Sequence, residues 1–457
     1  MVTMRPDLLF PRSWATTDGI HSQPEILEWV AQRNSAISVD ITKTTLAQTG
    51  WFYDEATGQI VNPARTFFQI SGFQTDEVCQ PMLIQDEIGF LGIIAKPIDG
   101  VLHLLMQAKI EPGNVNRVQL SPTIQATKSN FTQQHGGARP AYLDYFLNAA
   151  PEATAVDQIQ SEQSSRFLGK RNRNIVVCLP EEEVIDEGPN HRWLTLGQVK
   201  QLLKVDNLVN MDTRTVLSCL PFHLYDAGLA TLDSPHDPAL VRSITHPGPN
   251  QLPLIFRHVN DYKMFRANPG RLVPLLGLEG WTMRSSAGAE EFVRDRPHPF
   301  KVVFCDISIE GREVTRWGQP LFEAVGMAHF GLFTAVLDGV RHFLVRATPE
   351  LGAFDSIELG PTVQLEPTQE PADEIGRAFF EHLADRRGVL YDVVLSEEGG
   401  RFYHEQNHNT IIEIDAAEAG DLPPGYFWLT YRTLSQLVQV NNCLNIQLRN
   451  LLSLMEI

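Results

Sequence analysis

Between residues 101 and 127 the chain alternates twice. In the first run Leu102, Leu104, Met106, Ala108 and Ile110 fall on one face and His103, Gln107 and Lys109 on the other. That is the period of a strand with one buried side. EPGNVN (111–116) carries turn residues. In 118–127, Val118, Leu120, Pro122, Ile124 and Ala126 oppose Gln119, Ser121, Thr123, Gln125 and Thr127. The pattern predicts an antiparallel hairpin with one apolar and one polar face. Further on the period becomes helical. Thr195 stands as an N-cap before LGQVKQLLK, with Leu196, Val199, Leu202 and Leu203 as the buried stripe. Thr430, followed by Leu434, Leu437 and Val438, repeats that arrangement, and YLDYFLNAA (142–150) and ADEIGRAFFEHLA (372–384) read as further helices. Strands come first and helices last, so the class is α+β, a mixed or antiparallel sheet with flanking helices.

The same pattern occurs twice. DGVLHLLMQAKIEPGN (99–114) faces DGVRHFLVRATPELGA (338–353), and LSPTIQ (120–125) faces LGPTVQ (359–364). SEQSSRF (161–167) faces SEEGGRF (396–402); Asn207, Asn210 and Arg214 face Asn442, Asn445 and Arg449. Upstream, Gly50-Trp51 aligns with Gly280-Trp281. A period this long indicates a duplicated domain, since solenoid units run about 20–50 residues. The clusters SPHDPAL and THPGPNQLP place the boundary in 222–252. Residues 1–225 and 226–457 are the expected repeats.

Bulk composition narrows the function. The formal net charge of −18 disfavours nucleic acid as a partner. Five scattered cysteines with no C-x-x-C fit free thiols in a reducing cytoplasm. The N-terminus has no apolar run of signal length, and no stretch has the length of a membrane span. HEQNH (404–408) fits a zinc-peptidase pattern, but it runs into the strand-like NTIIEI, where its two histidines would not share a helix face. No metal is expected.

The polar face is rich in Gln, Ser and Thr, which offer both donors and acceptors to sugar hydroxyls. GKRNRN (169–174) crowds Lys170, Arg171 and Arg173 into an acidic chain, and such cations partner phosphates. The second copy loses this chemistry. Lys109 becomes Thr348, Asn114 becomes Ala353, Lys128 becomes Pro367, and Lys170, Arg171 and Arg173 become Glu405, Gln406 and His408. Packing residues such as Pro122/Pro361 and Trp193/Trp428 persist. The first copy is therefore expected to work and the second to support it. His103, kept as His342, fits a structural role better than a catalytic one.

QPMLIQDEIGFLGI (80–93), DGVLHLLMQAKIEPGN, LSPTIQATKSN (120–130) and the block from RFLGKRNRN to WLTLGQVKQLL resemble the NDP-hexose 2,3-dehydratases of deoxysugar biosynthesis. The resemblance covers nearly the whole chain and departs near Cys79, where a Trp is usual before Gln-Pro; Trp317 keeps the aromatic in the second copy. It implies two fused Nudix-like domains in a homodimer, with one active nucleotide-sugar pocket and one degenerate pocket. The Nudix box G-x5-E-x7-R-E-x2-E-E is absent, which argues against pyrophosphate hydrolysis. The implied substrate is a dTDP-linked 4-keto-6-deoxyhexose. The implied reaction, without a cofactor, is C3 deprotonation, loss of the C2 hydroxyl and tautomerisation to a 3,4-diketone, which a downstream 3-ketoreductase would consume. Such a site needs a base, an acid and a donor or cation at the C4 oxygen. The catalytic candidates are Lys109, Glu111, Tyr142, Tyr145 and His103. The binding candidates are Gln107, Asn114, Thr123, Gln125, Thr127, Lys128 and Asn130 for sugar and base, with Arg171, Asn172 and Arg173 for the diphosphate. A non-catalytic nucleotide-sugar binder and a nucleotide-sugar hydrolase are the alternatives.

Overall fold

The computed structural model describes residues 5–128, 139–233, 235–311, 314–419 and 421–457. Among these residues the strands form four mixed sheets, flanked by helices. The repeat is visible strand for strand. In the first half, a seven-stranded sheet runs Thr154–Ser161, Arg171–Cys178, Gly89–Ile98, Val101–Ile110, His191–Thr195, with Val118–Ser121 and Ile124–Ala126 attached. In the second half, Val389–Ser396, Gln406–Glu413, His329–Leu337, Val340–Pro349 and Tyr426–Thr430 follow the same order, with Ile357–Gly360 and Val363–Leu365 attached.

Local chemistry explains why these strands form twice. Asp99-Gly100 and Asp338-Gly339 all have positive φ, the conformation of a two-residue hairpin turn that favours Asp-Gly. The turns pair Ile98 with Val101 and Leu337 with Val340. Asn207 and Asn442 both sit at φ 56°, where Asn is tolerated better than most residues. Three residues on, Asn210 and Asn445 cap the helices Met211–Ser218 and Ile446–Ser453. Thr195 caps Leu196–Leu202 in a reciprocal capping box with Gln198.

The predicted hairpin is broken by design of the sheet. Strands Gly89–Ile98 and Val101–Ile110 pair only near their turn and then splay. Val118–Ser121 follows one of them and Ile124–Ala126 the other. Thr123 spans the gap: its hydroxyl donates to the Leu105 carbonyl (2.5 Å) and accepts from the Ile94 amide (2.9 Å). Thr362 does the same between Leu344 and Phe333. Crossing the gap also moves Ile124 and Ala126 into a different core cluster from Val118 and Leu120.

Two six-stranded sheets complete the fold, and each takes an edge strand from the opposite half. Val39–Lys43 pairs with Phe300–Ile309, and Arg271–Val273 pairs with Gln69–Gln74. The halves are further locked by two reciprocal turns. The Gly113 amide donates to the Gly399 carbonyl (2.6 Å), and Gly352 donates to Ser164 (2.8 Å). Neither glycine can carry a Cβ, which would stand 1.5 Å from the Phe402 oxygen at Gly113 and 1.9 Å from the Phe167 oxygen at Gly352. Two fully buried arginines tie the centre: Arg214 donates to the Ser396 carbonyl and Arg449 to the Ser161 carbonyl. One continuous hydrophobic core includes residues of both halves. Among the described residues no helix is long and apolar enough to cross a membrane.

Candidate active site

A cavity of ≈ 400 Å³ lies where the splayed first-half sheet meets the second-half loop Glu398–Arg401. That volume falls in the range of about 300–1,000 Å³ usual for small-molecule sites. The first half contributes Lys109 and Glu111 from the end of Val101–Ile110, then Gln125, Thr127, Glu162, Lys170, Asn172 and Asp212. The second half contributes Trp317, Gln319, Glu398 and Arg401. Trp51, Phe67, Phe90 and Trp317 give the cavity aromatic walls. Trp51 is fixed by an indole N–H bond to the Gly318 carbonyl (2.8 Å), so the wall itself bridges the halves.

The polar groups form a dense charged array. The Lys109 ammonium lies 3.4 Å from the Glu111 carboxylate and donates to the Gln125 carbonyl (3.2 Å). The Gln125 amide donates to Glu111 (2.9 Å) and its oxygen accepts from Asn210 (3.1 Å). This last triad recurs as Gln364, Glu350 and Asn445, so it belongs to the scaffold; Lys109 does not recur. Glu162 accepts from Asn172 through one oxygen (2.6 Å), while its other oxygen is buried without a partner. Asp212 Oδ1 is likewise buried and unpartnered at the cavity wall. Burial, reinforced by Glu398, raises the Glu162 carboxyl to about 8. Burial, reinforced by Glu111, raises Glu398 to about 7. Asp212 is raised well above the carboxylate range, again chiefly by burial. The same desolvation lowers Lys170 to about 8. The cavity thus holds acids that keep protons near neutral pH beside cations, a set suited to proton transfer on a bound anion. Among the described residues no three His, Cys, Asp or Glu side chains group to hold a metal ion.

Residues 23–220 and 255–455, one segment in each half, both match the NDP-hexose 2,3-dehydratase family. The chain belongs to that family. Similar proteins include the dTDP-4-dehydro-6-deoxy-alpha-D-glucopyranose 2,3-dehydratases of three organisms. That of Streptomyces violaceoruber is 37% identical over 451 residues, covering 96% of each chain. That of Saccharopolyspora spinosa is 39% identical over 442 residues, 93% of this chain and 89% of the relative. That of Amycolatopsis orientalis is 38% identical over 464 residues, 96% and 92%. As a 2,3-dehydratase the protein is a hydro-lyase. Among solved structures, an ADP compounds hydrolase aligns with 34% of this chain and 80% of its own, at 12% identity and a TM-score of 0.19.

In this 2,3-dehydratase the sequence candidates separate into two groups. Lys109, Glu111, Gln125, Thr127 and Asn172 line the cavity. The others lie elsewhere, each for a local reason. Tyr142 donates to the Asp186 carbonyl (2.6 Å) and Tyr145 to Glu183 (2.9 Å), because the short helix Leu143–Leu147 covers the far face of the sheet. His103 is buried, bonded to the Val101 carbonyl (2.8 Å) and to the Ile20 amide (3.4 Å); His342 makes the equivalent bond to Val340. Thr123 is the wedge described above. Gln107 accepts from Ser121 (3.3 Å), and Asn114 donates to the Arg117 carbonyl (2.8 Å) within its turn. Strand alternation turns Arg171 and Arg173 away from Asn172: Arg171 stacks on Phe354 (3.9 Å) and Arg173 forms a two-point pair with Asp157 (2.6 Å each). Lys128 is exposed beyond Thr127, and Asn130 lies outside the described residues.

Sequence reasoning missed Glu162, Asp212, Glu398 and Arg401 as site residues. For two of them a signal existed. Asp212 aligns with Gln447 and Glu398 with Gln163, the same loss of charge between copies that singles out Lys109. Glu162 and Arg401 align with Glu397 and Arg166, so comparison of the copies offers no contrast there.

Proposed function

We propose that the cavity binds dTDP-4-keto-6-deoxyglucose and removes water across C2 and C3. The observation that carries this reading is the union, in one cavity of a 2,3-dehydratase, of buried proton-bearing carboxyls with three cations. The C4 ketone acidifies the C3 proton. A carboxylate takes that proton, the electron pair moves onto the C4 oxygen as an enolate, and its return expels the C2 hydroxyl as water once an acid protonates it. The resulting enol tautomerises to the 3,4-diketone. Glu398 has the acidity of a base poised near neutral pH, and Asp212, raised well above the carboxylate range by burial, is suited to protonate the leaving hydroxyl. Lys109, anchored on Glu111, offers an ammonium to the enolate oxygen. The diphosphate is assigned to Arg401 and Lys170, which line the cavity and are bonded to the Gln85 side chain and the Glu87 carbonyl, in place of Arg171, stacked on Phe354, and Arg173, paired with Asp157. The aromatic walls suit the thymine base.

We further infer that each half is Nudix-like, supported by the duplicated mixed sheet with helices on its faces. A homodimer acting in the cytoplasm of a deoxysugar producer, ahead of a 3-ketoreductase, fits the resemblance. The test is incubation with dTDP-4-keto-6-deoxyglucose and a 3-ketoreductase, followed by mass. Loss of one water with the diphosphate intact is expected. Release of a nucleoside monophosphate would favour hydrolysis, and unchanged substrate would leave only a binder.

A further inference from the structure

Glu398 lies on the cavity wall with its carboxylate folded back on its own loop. The Gly400 amide donates to Glu398 Oε1 (2.8 Å). That approach needs a residue without a side chain. A Cβ on Gly400 would stand 2.3 Å from the same Oε1 and 3.2 Å from the carboxyl carbon. The turn itself makes no such demand. Gly400 does not adopt a positive φ, so its backbone conformation is open to other residues. The other copy has Ser165 at this position. Its backbone bonds match. Gln80 donates to the Ser165 carbonyl (2.9 Å) as Gln319 does to that of Gly400 (2.8 Å). The Phe167 amide donates to the Gln163 carbonyl (2.9 Å) as the Phe402 amide does to that of Glu398 (3.1 Å). Gln163 stands where Glu398 does, and its side chain turns to Glu405 (3.3 Å).

The backbone around Gly400 is pinned on both sides. The residue is buried, and its carbonyl accepts from Gln319 and from the Arg401 guanidinium (2.9 Å). The Gly399 carbonyl accepts from the Gly113 amide (2.6 Å). The part that can yield to an added methyl is therefore the Glu398 side chain. To regain an ordinary contact distance its carboxylate must retreat by about 1 Å. A displacement of that size at a reacting group costs about 100-fold in rate.

We propose that Gly400 is a positioning residue of the dehydration: its bare Cα leaves the space in which the Glu398 carboxylate sits, and its amide holds the carboxylate there. This rests on the reading of Glu398 as the base. It goes further by naming what aims that base. The same residue carries the carbonyl that receives the Arg401 guanidinium, so it sets the place of a proton-transfer group and of a cation together.

The test is ketoreductase-coupled turnover of the full chain as Gly400→Ala, as Glu398→Gln and as the double variant. In Gly400→Ala, kcat is expected to fall by about 100-fold, with KM within about twofold of wild type and an unchanged melting temperature. The limb of the pH–rate profile assigned to Glu398 should move to higher pH, because the hydrogen bond from the Gly400 amide, which favours the ionised form, is broken. The charged and titratable groups that act with Glu398, which are Lys109, Glu111, Arg401, Glu162, Asp212 and Lys170, are the same in both proteins. In the double variant the losses should not multiply. Its turnover should match Glu398→Gln within about threefold, because Gly400 acts only through that carboxylate. Wild-type kcat in Gly400→Ala, an unmoved limb, or losses that multiply would each overturn the proposal. So would a collapsed melting transition in Gly400→Ala, which would assign the glycine to the fold. Wild-type turnover in Glu398→Gln would instead sink the reading of Glu398 as the base, on which the proposal stands.

Discussion

Asp212 offers the sharpest test of the chemistry. It lies in the first turn of Met211–Ser218, where the helix dipole favours the ionised form by about 0.3–1 kcal/mol. Full burial acts the other way and is the largest effect, and the nearby Glu162 and Glu111 add to it. Burial wins, and the carboxyl is held well above the usual carboxylate range. Asp212→Asn then preserves shape, neutrality and a hydrogen-bond donor, and removes only the transferable proton. The other half already carries an amide at this position, Gln447. Stability should change by less than about 1 kcal/mol, within the range of mild substitutions. Turnover should fall by about 10²–10⁴-fold, the usual worth of a general acid or base, or about 3–5 kcal/mol in the barrier. The assay is ketoreductase-coupled turnover, with thermal melting as the control for folding. Turnover within twofold of wild type would refute the acid role. A collapsed melting transition would show that the carboxyl serves the fold instead.

Three further outcomes follow from the same geometry. Glu398→Gln should lower turnover and abolish the limb of the pH–rate profile near pH 7, since the raised Glu398 carboxyl supplies it; an unchanged limb assigns it to another group. Gly113→Ala should lower the melting temperature and turnover together, because its Cβ would meet the Phe402 carbonyl beside Arg401; a variant with wild-type melting would contradict the interlock. Glu162, Glu358 and Glu405 are raised by burial to about 8. The folded state therefore binds protons that the unfolded chain releases near pH 4.5, and stability is lost as pH rises from about 5 through 8. Lys200, lowered by burial to about 7, opposes this over the range from about 7 to 10.5. Glu358→Gln, which keeps an oxygen for the Ser161 hydroxyl, should flatten the fall in melting temperature between pH 6 and 9.

What the sequence disclosed depended on how local the determinant was. Alternation in 101–110 placed the buried face correctly, because a strand's period is set by its own backbone. The cap at Thr195 was readable for the same reason. The single hairpin over 118–127 was not, because Thr123 changes partner strand without interrupting the alternation. Arg171 and Arg173 were chosen by composition. Period 2 sends them opposite to Asn172, and only the packed sheet shows that the cavity lies on the Asn172 side. The exchange of Val39–Lys43 and Arg271–Val273 between halves leaves no local mark, since an edge strand reads alike on either sheet.

That exchange changes what the duplication means. If each half held a complete site, charge would be lost throughout one copy and kept throughout the other. The observed losses run in opposite directions. Around the sheet and the helix Met211–Ser218, the first half keeps Lys109, Lys170 and Asp212 where the second has Thr348, Glu405 and Gln447. In the loop, the second half keeps Glu398 where the first has Gln163. Both retained sets line the same cavity, because the turn at Gly113 docks the loop Glu398–Arg401 of one half onto the sheet of the other. The proposed site takes its sheet from one copy and its loop from the other, and the twin position, given the complementary pair, lacks these charged groups on both sides. A chain cut between the repeats would therefore lose the carboxyl of Glu398 and the guanidinium of Arg401 from the site that holds Lys109.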